Sequence, residues 1–170
     1  PYTRILQTPL EQKHSGVIVL TVRPARSDDG EWDMVVLEEF RHATRSWHLG
    51  MPQGFAESGE APARAALREL AEETGLPAPP LLVDLGALAF NPGRLSDIVQ
   101  LFLAWYPERR HDLHRDNNGD DETIAAADWV PLSEVRRHAR QAGPSGRPTG
   151  PLNANVSAAL GQVVLQDLPA

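Results

Sequence analysis

Residues 54–76 read GFAESGEAPARAALRELAEETGL, and this stretch predicts a helix with a loop on either side. Pro62 suits the first turn of a helix, where its missing N–H costs nothing. Gly75 suits the position just past the helix end, where the backbone adopts a positive φ. Between them we expect an apolar stripe that faces the core, formed by Ala63, Ala66, Leu67 and Leu70.

The same helix places three glutamates on its other face. Glu69, Glu72 and Glu73 stand at i, i+3 and i+4, so their Cβ atoms would lie within roughly 6 Å of one another. Three like charges repel, and each tends to raise the pKa of the others. A hard divalent cation relieves this repulsion, because Mg²⁺ prefers carboxylate oxygens completed by water and substrate phosphate. The alternative is an acidic helix face exposed to solvent.

The complete spacing favours the metal site over the exposed face. It runs Gly54, five residues, Glu60, seven residues, Arg68-Glu69-Leu70, one residue, Glu72-Glu73, one residue and Gly75-Leu76. From average residue usage, a chance match to so specific a pattern is on the order of 10⁻⁹ per starting position. The spacing resembles the Nudix box, GX5EX7REUXEEXGU with U an aliphatic residue, without a departure.

This resemblance implies a Nudix hydrolase, an α/β protein with a mixed sheet in an α/β/α sandwich. Such enzymes hydrolyse a nucleoside diphosphate linked to another group X, by metal-assisted attack of water on phosphorus. Their substrate partner is a small nucleotide. The positions of Glu60 and Arg68 mainly hold the loop-helix-loop together in this family, so we expect a structural role for both.

The resemblance also implies which residues bind the metal and which activate water. The metal ligands map onto the three box glutamates, of which Glu72 and Glu73 are also assigned to catalysis. A backbone carbonyl at Gln53 or Gly54 adds a ligand. Mg²⁺ is the implied cofactor, with Mn²⁺ as a substitute.

The general base is expected outside the box. Relatives of the ADP-ribose type carry a glutamate just before a late strand, which points to Asp120, Asp121 and Glu122 in the run GDDETI, with Glu122 first. An acidic loop exposed to solvent is the alternative. Asp97 is the next candidate and is also assigned to substrate binding, because its region faces the site in relatives.

Two arginines are candidates for binding the diphosphate, since a guanidinium can grip it through two hydrogen bonds. Arg41 ends the run VVLEEFR, where the ADP-ribose branch usually carries an arginine. The alternative is a surface arginine paired with Glu38 or Glu39. Arg94, in the turn NPGR, is the second candidate.

Features outside the box resemble the ADP-ribose pyrophosphatase branch, with one departure. Pro92 lies sixteen residues after Leu76, and the phrases VVLEEFRH and ALAFNPGRLSD also resemble that branch and its GDP-mannose-type neighbour. The branch usually has Glu-Leu-Pro-Ala-Gly before the box, whereas this chain has Gly50-Met51-Pro52-Gln53-Gly54. That stretch resembles enzymes that act on dinucleoside polyphosphates and RNA 5′ ends.

We therefore expect the chain to convert ADP-ribose to AMP and ribose 5-phosphate. The main alternative is hydrolysis of dinucleoside polyphosphates or of other nucleotides such as GDP-sugars and nucleoside triphosphates. A minor alternative is a ligand-binding Nudix regulator without catalysis. Such regulators usually show eroded box glutamates, and none is eroded here.

Composition sets the remaining expectations. At 170 residues, with 41% apolar residues, we expect one domain over residues 1–170. The net charge of −7 argues against nucleic-acid or membrane partners. The absence of cysteine excludes disulfides and thiol chemistry. Neither a signal peptide nor a long apolar run is present, which favours a cytoplasmic location.

Strands are expected on both sides of the box, at 15–22, 33–40, 47–51, 81–90, 98–106 and 124–131, followed by a helix capped by Ser133. This order suggests a mixed sheet with helices on its faces. Residues 1–14 are expected to add a strand that supports a homodimer, as in the ADP-ribose branch. Residues 143–152 should form a Gly/Pro loop and residues 153–168 a C-terminal helix.

Overall fold

The computed structural model describes residues 16–25, 30–89, 97–109, 111–114 and 124–141. These residues form seven strands and two helices. In chain order they are β1 (Gly16–Pro24), β2 (Trp32–Arg41), β3 (Ser46–Gly50), β4 (Gln53–Phe55), α1 (Pro62–Thr74), β5 (Leu81–Leu88), β6 (Val99–Trp105), β7 (Ile124–Pro131) and α2 (Leu132–Gln141).

The strands form one mixed sheet in the order β3-β2-β1-β6-β5, with β4 paired to β1 and β7 paired to β2. β1 and β6 run parallel, and every other pair is antiparallel. β1 pairs with β4 through Gly16–Ile18 and with β2 only through Val22–Pro24. The short strand that opens the box therefore lies beside the central strand of the sheet.

Each face of the sheet is covered by one helix. Side chains alternate along a strand, so Val17 and Val19 of β1 pack with Leu70 of α1 in one core. Ile18 and Leu20 pack on the other face with α2, through Leu132 and Val135. This arrangement confirms the expected α/β/α sandwich.

The buried stripe of α1 differs from the expected one. Ala63 is exposed and Leu67 is half-buried, whereas Ala65, Ala66 and Leu70 are fully buried. The stripe continues to Glu73 and Thr74, which are also buried, because residues four apart lie one above the other on a helix. The helix is thus rotated so that one of its glutamates faces the sheet.

The start of α2 also differs from the prediction. The helix begins at Leu132, and the backbone N–H of Ser133 donates a hydrogen bond to the Glu31 carboxylate at 2.8 Å. The carboxylate of Glu31, just before β2, thus satisfies a helix N-terminal donor in place of the serine hydroxyl.

Several expectations concern residues outside the described ranges. They are the N-terminal strand at 1–14, the turn at 91–93, the loop at 143–152 and the helix at 153–168. Within the described ranges, no helix has the length and apolar character needed to cross a bilayer.

Candidate active site

The segment that enters the box is fixed to the central strand. Pro52 accepts a backbone hydrogen bond from Val19 at 2.8 Å, and Gln53 pairs with Ile18 in the sheet. Met51, just before them, is completely buried. These contacts hold the backbone of residues 52–55 next to helix α1, which bears the box glutamates.

Glu73 lies against this backbone. Its side chain is only 6% exposed, and its Oε2 accepts a hydrogen bond from the backbone N–H of Gln53 at 3.0 Å. Hydrogen bonding to a charged acceptor favours a fixed position of that acceptor. The structure thus brings together Glu73 and Gln53, two of the residues that the sequence assigned to a metal site.

Glu69 contacts the next residue of the same strand. A β-carbon at Gly54 would overlap the Glu69 carboxylate, so a side chain is excluded at position 54 while Glu69 keeps this place. Glu69 and Gly54, two further residues that the sequence assigned to the metal site, are therefore also adjacent.

Arg68 connects the helix to the preceding loop. Its Nε and Nη2 donate to the two carboxylate oxygens of Glu60 at 3.2 and 3.0 Å, and Nη2 also donates to the carbonyl of Phe55 at 3.0 Å. This two-pronged contact is the strong geometry for an arginine–carboxylate pair. Glu60 and Arg68 thus take the structural role expected of them.

The same guanidinium also contacts two box glutamates. Nη1 donates to Glu69 at 2.8 Å and to Glu72 at 3.1 Å. Hydrogen bonds to Glu60, and more weakly to Glu69 and Glu72, raise the pKa of Arg68, so it stays charged. The repulsion that the sequence predicted among the three carboxylates is therefore partly offset by a neighbouring arginine.

The three glutamates are not equivalent. Glu72 is exposed over more than half of its side chain (58%), whereas Glu69 (13%) and Glu73 are largely buried. In the described ranges, no three His, Asp or Glu side chains are placed as ligands of one metal ion.

The donor set nevertheless fits a hard cation. All three side chains offer carboxylate oxygens, which Mg²⁺ prefers, and two of them already lie on the backbone of Gln53 and Gly54. A cation shared by Glu69 and Glu72 would replace their present hydrogen bonds to Arg68.

Arg41 lies at the end of β2 and forms an ion pair with Glu39, one of the two partners that the sequence offered. Glu39 is buried, and about a third of the Arg41 side chain is exposed (32%). His48, opposite Glu39 on β3, has its pKa lowered by partial burial and then by the positive charge of Arg41. Arg41 therefore lies at the end of β2, where part of its side chain is open to solvent.

The remaining predicted residues divide into described and undescribed ones. Asp97 is half-buried just before β6, at the sheet end where Gly16 pairs with both Val99 and Phe55. No hydrogen bond within the described ranges joins Asp97 to the box. Outside those ranges lie the other candidates, Arg94, Asp120, Asp121 and Glu122.

Two contacts at the rear of α1 were not expected from the sequence. The backbone N–H of His114 donates to the carbonyl of Thr74 at 2.9 Å, so residues 111–114 lie across the helix end. The carbonyl of His111 accepts from both Arg23 (3.2 Å) and Trp129 (2.9 Å). Arg23, His111 and Trp129 line a cleft of about 470 Å³ on the same side of the sheet as α1. The buried Arg23 in the run VLTVRP was the available signal.

A second unexpected feature is the burial of Glu39. It follows Val35 and Leu37 on the α1 face of β2, and both of those residues are completely buried. A charged residue in register with an apolar alternation was the signal for it.

The sandwich and its glutamate-bearing loop-helix-loop define the Nudix class of fold. The sequence profile of the NUDIX domain matches residues 12–149, and the chain belongs to this family. It is 32% identical over 127 residues to an ADP-ribose pyrophosphatase of Bacillus subtilis (strain 168), covering 73% of this chain and 65% of that protein.

A second relative and a solved structure are also similar to this chain. An ADP-ribose pyrophosphatase of Mycobacterium tuberculosis is 30% identical over 128 residues, covering 74% of this chain and 56% of that protein. The chain thus spans less than two thirds of the length of either relative. The NUDIX domain of Shewanella oneidensis NrtR complexed with ADP ribose superposes with a TM-score of 0.59 at 16% identity, covering 94% of this chain and 86% of that one. The last comparison supports the fold.

Proposed function

We propose that the protein is a Mg²⁺-dependent pyrophosphohydrolase that cleaves ADP-ribose to AMP and ribose 5-phosphate. The observation that carries the proposal is the pair of contacts that set Glu73 on Gln53 and Glu69 on Gly54. They place two carboxylate groups of helix α1 against the backbone of strand β4. The names of the Bacillus and Mycobacterium relatives support ADP-ribose as the substrate.

The residues that would hold the metal are Glu69, Glu72 and Glu73, with a backbone oxygen of Gln53 or Gly54. Bound Mg²⁺, or Mn²⁺ in its place, would supply a water of lowered pKa and charge stabilisation at phosphorus. The chain itself fixes the ligands. Gln53 orients Glu73, the bare Cα of Gly54 admits Glu69, and Arg68 ties the helix to its loop.

Water activation requires a base near the cleaved bond. Glu122 is the first candidate, with Asp120 beside it, and Asp97 is the described alternative at the box end of the sheet. Arg41 would bind the diphosphate, because its side chain is partly exposed and a guanidinium can form two hydrogen bonds to it. Arg94 is the second candidate for this contact.

A second candidate function is hydrolysis of a dinucleoside polyphosphate, or of a GDP-sugar or nucleoside triphosphate. The observation that favours it is the run Gly50-Met51-Pro52-Gln53, which departs from the ADP-ribose branch immediately before the box. A non-catalytic regulator is disfavoured by the complete glutamate set.

We also propose that residues 1–170 form a single Nudix domain, which acts as a homodimer in the cytoplasm. The covering of both sheet faces by helices supports one shared fold. Sedimentation of the full chain would measure the oligomeric state.

The function is tested with a substrate panel. The full chain is incubated with ADP-ribose, GDP-mannose, diadenosine polyphosphates, NADH or nucleoside triphosphates, with Mg²⁺ or with EDTA. The remaining substrate and the products are separated directly by chromatography without a coupling enzyme, so EDTA acts only on the protein under test. We expect ADP-ribose to dominate, to give AMP and ribose 5-phosphate, and to require Mg²⁺. Faster turnover of a polyphosphate would favour the second candidate, and turnover in EDTA would contradict the metal site.

A further inference from the structure

Glu39 occupies a place where the fold alone calls for an apolar residue. On the α1 face of β2, Val35 and Leu37 are completely buried, and Glu39 follows them with only 3% of its surface exposed. Removing an ionised carboxylate from water costs several kcal/mol unless it is paired and hydrogen-bonded. A position that breaks the local pattern at such a cost is typical of a functional site.

The neighbouring strand makes room for this carboxylate. Gly50 pairs with Leu37 in the sheet, and a β-carbon at position 50 would lie 2.9 Å from the carboxyl carbon and both oxygens of Glu39. Gly50 does not adopt a positive φ, so its backbone conformation does not require a glycine. What requires a glycine here is the space that the Glu39 carboxylate fills.

The partner of Glu39 is Arg41, two residues along the same strand and hence on the same face. Glu39 is buried beneath it, whereas part of the Arg41 side chain reaches solvent. A guanidinium has five N–H donors in a planar fork, so one carboxylate can orient it while other donors remain for a ligand. Burial, and then the positive charge of Arg41, lowers the pKa of His48 on the neighbouring strand β3.

Strand β3, which ends at Gly50, leads directly into the box. Gly50 is followed by Met51 and Pro52, and then by Gln53, whose N–H binds Glu73. The carboxylate of Glu39 therefore lies against Gly50, which is three residues along the chain from the backbone that holds Glu73.

We propose that Glu39 is a positioning residue that fixes the guanidinium of Arg41 to receive the diphosphate of the substrate, in a slot that Gly50 keeps open. This inference rests on the proposed function, because it assigns a diphosphate ligand to that site.

The test uses four variants of the full chain, E39Q, E39A, G50A and E39A/G50A. The matched control is E38Q, which neutralises the adjacent glutamate of the same strand on the other face. Two quantities are measured. The first is KM and kcat for ADP-ribose with Mg²⁺, and the second is the affinity for inorganic pyrophosphate in EDTA by calorimetry. Thermal unfolding of each variant is recorded alongside.

We expect E39Q and G50A each to raise KM and weaken pyrophosphate binding about tenfold, the loss of one charge-assisted contact, with kcat changed less than about twofold. E38Q should match the wild type. G50A should have no further effect once Glu39 is removed, so E39A/G50A should match E39A.

Several results would overturn the proposal. Unchanged or tighter pyrophosphate binding in E39Q would show that Glu39 does not prepare Arg41 for an anion. Independent, additive effects of G50A and E39A would show that Gly50 is not required to make room for Glu39. Loss of folding in both E39Q and a charge-conserving E39D variant would assign Glu39 to stability alone. If the wild type leaves ADP-ribose intact, the proposed function fails, while the pyrophosphate measurement still decides the role of Glu39.

Discussion

The carboxylate of Glu69 fills the space beside Gly54, and a β-carbon at position 54 would overlap it. The glycine that opens the box is therefore explained by the glutamate fifteen residues later. We expect G54A to displace Glu69, to lower kcat/KM by about a hundredfold if Glu69 is a metal ligand, and to destabilise the fold by about 1–3 kcal/mol through overpacking. Steady-state kinetics and chemical denaturation measure the two effects.

A double-mutant comparison isolates this contact. In an E69A background the overlapping carboxylate is gone, so adding G54A should cost much less stability than it does in the wild type. Equal costs in both backgrounds would show that Gly54 is required for another reason, such as the approach of β1.

Glu73 offers a cleaner test of the metal assignment. The change E73Q keeps the size of the side chain and an oxygen that can accept the Gln53 N–H, whose donor–acceptor distance is 3.0 Å. We expect the melting temperature to fall by only a few degrees while kcat drops at least about a hundredfold, because a neutral amide is a poor ligand for Mg²⁺. Full turnover in E73Q would remove Glu73 from the metal site.

The contact between Arg68 and Glu60 predicts a dependence of stability on pH. Hydrogen bonds from Arg68, and then from the backbone of Glu57, hold the pKa of Glu60 below its ordinary value of 4.5. Because the folded state has the lower pKa, the contribution of Glu60 is complete above the ordinary value and is lost as the pH falls through the folded one.

Melting temperatures of the wild type and E60Q between pH 7 and pH 3 check this prediction. The gap between them should be constant above about pH 5.5 and close at lower pH. E57Q is the control, since its side chain makes none of the hydrogen bonds found in the described ranges. A gap that widens in acid would contradict the assigned direction of the shift.

The sequence predicted which residues lie close together where helix geometry alone decides. The spacing of Glu69, Glu72 and Glu73 fixes them on neighbouring turns, and the resemblance added Gln53 and Gly54. The rotation of α1 about its axis could not be predicted from the spacing, because α1 packs against several strands at once. Ala63 was therefore assigned to the core in error, while Glu73 shares the buried stripe.

Long-range placement of charged side chains was harder to predict. The long Arg68 side chain can adopt many rotamers, and its simultaneous contacts with Glu60, Glu69 and Glu72 depend on how the loop returns to the helix. Burial of Glu39 depends on its diagonal neighbour on β3, since a side chain at Gly50 would overlap the Glu39 carboxylate. Strand pairing of this kind is set by the whole sheet.

The last prediction compares Gly59, before α1, with Gly75, just after it. Both have a positive φ, but among the residues that the structure describes a β-carbon would meet a neighbouring atom only at Gly75, so the pair distinguishes backbone strain from steric overlap. Gly75 has φ of 69° and lies against the carbonyl of His114, whereas Gly59 has φ of 79° and a β-carbon there would meet no atom of the described residues within 4 Å. G59A should therefore cost only the left-handed conformation, about 1–2 kcal/mol. G75A should cost clearly more, because the β-carbon also displaces residues 111–114 from the helix end.

Chemical denaturation measures the free energy of unfolding of both variants. Hydrogen exchange at the His114 N–H, which is bound to the carbonyl of Thr74, should rise only in G75A. Equal destabilisation by the two variants, with His114 still protected, would show that the segment does not depend on its contact with Gly75.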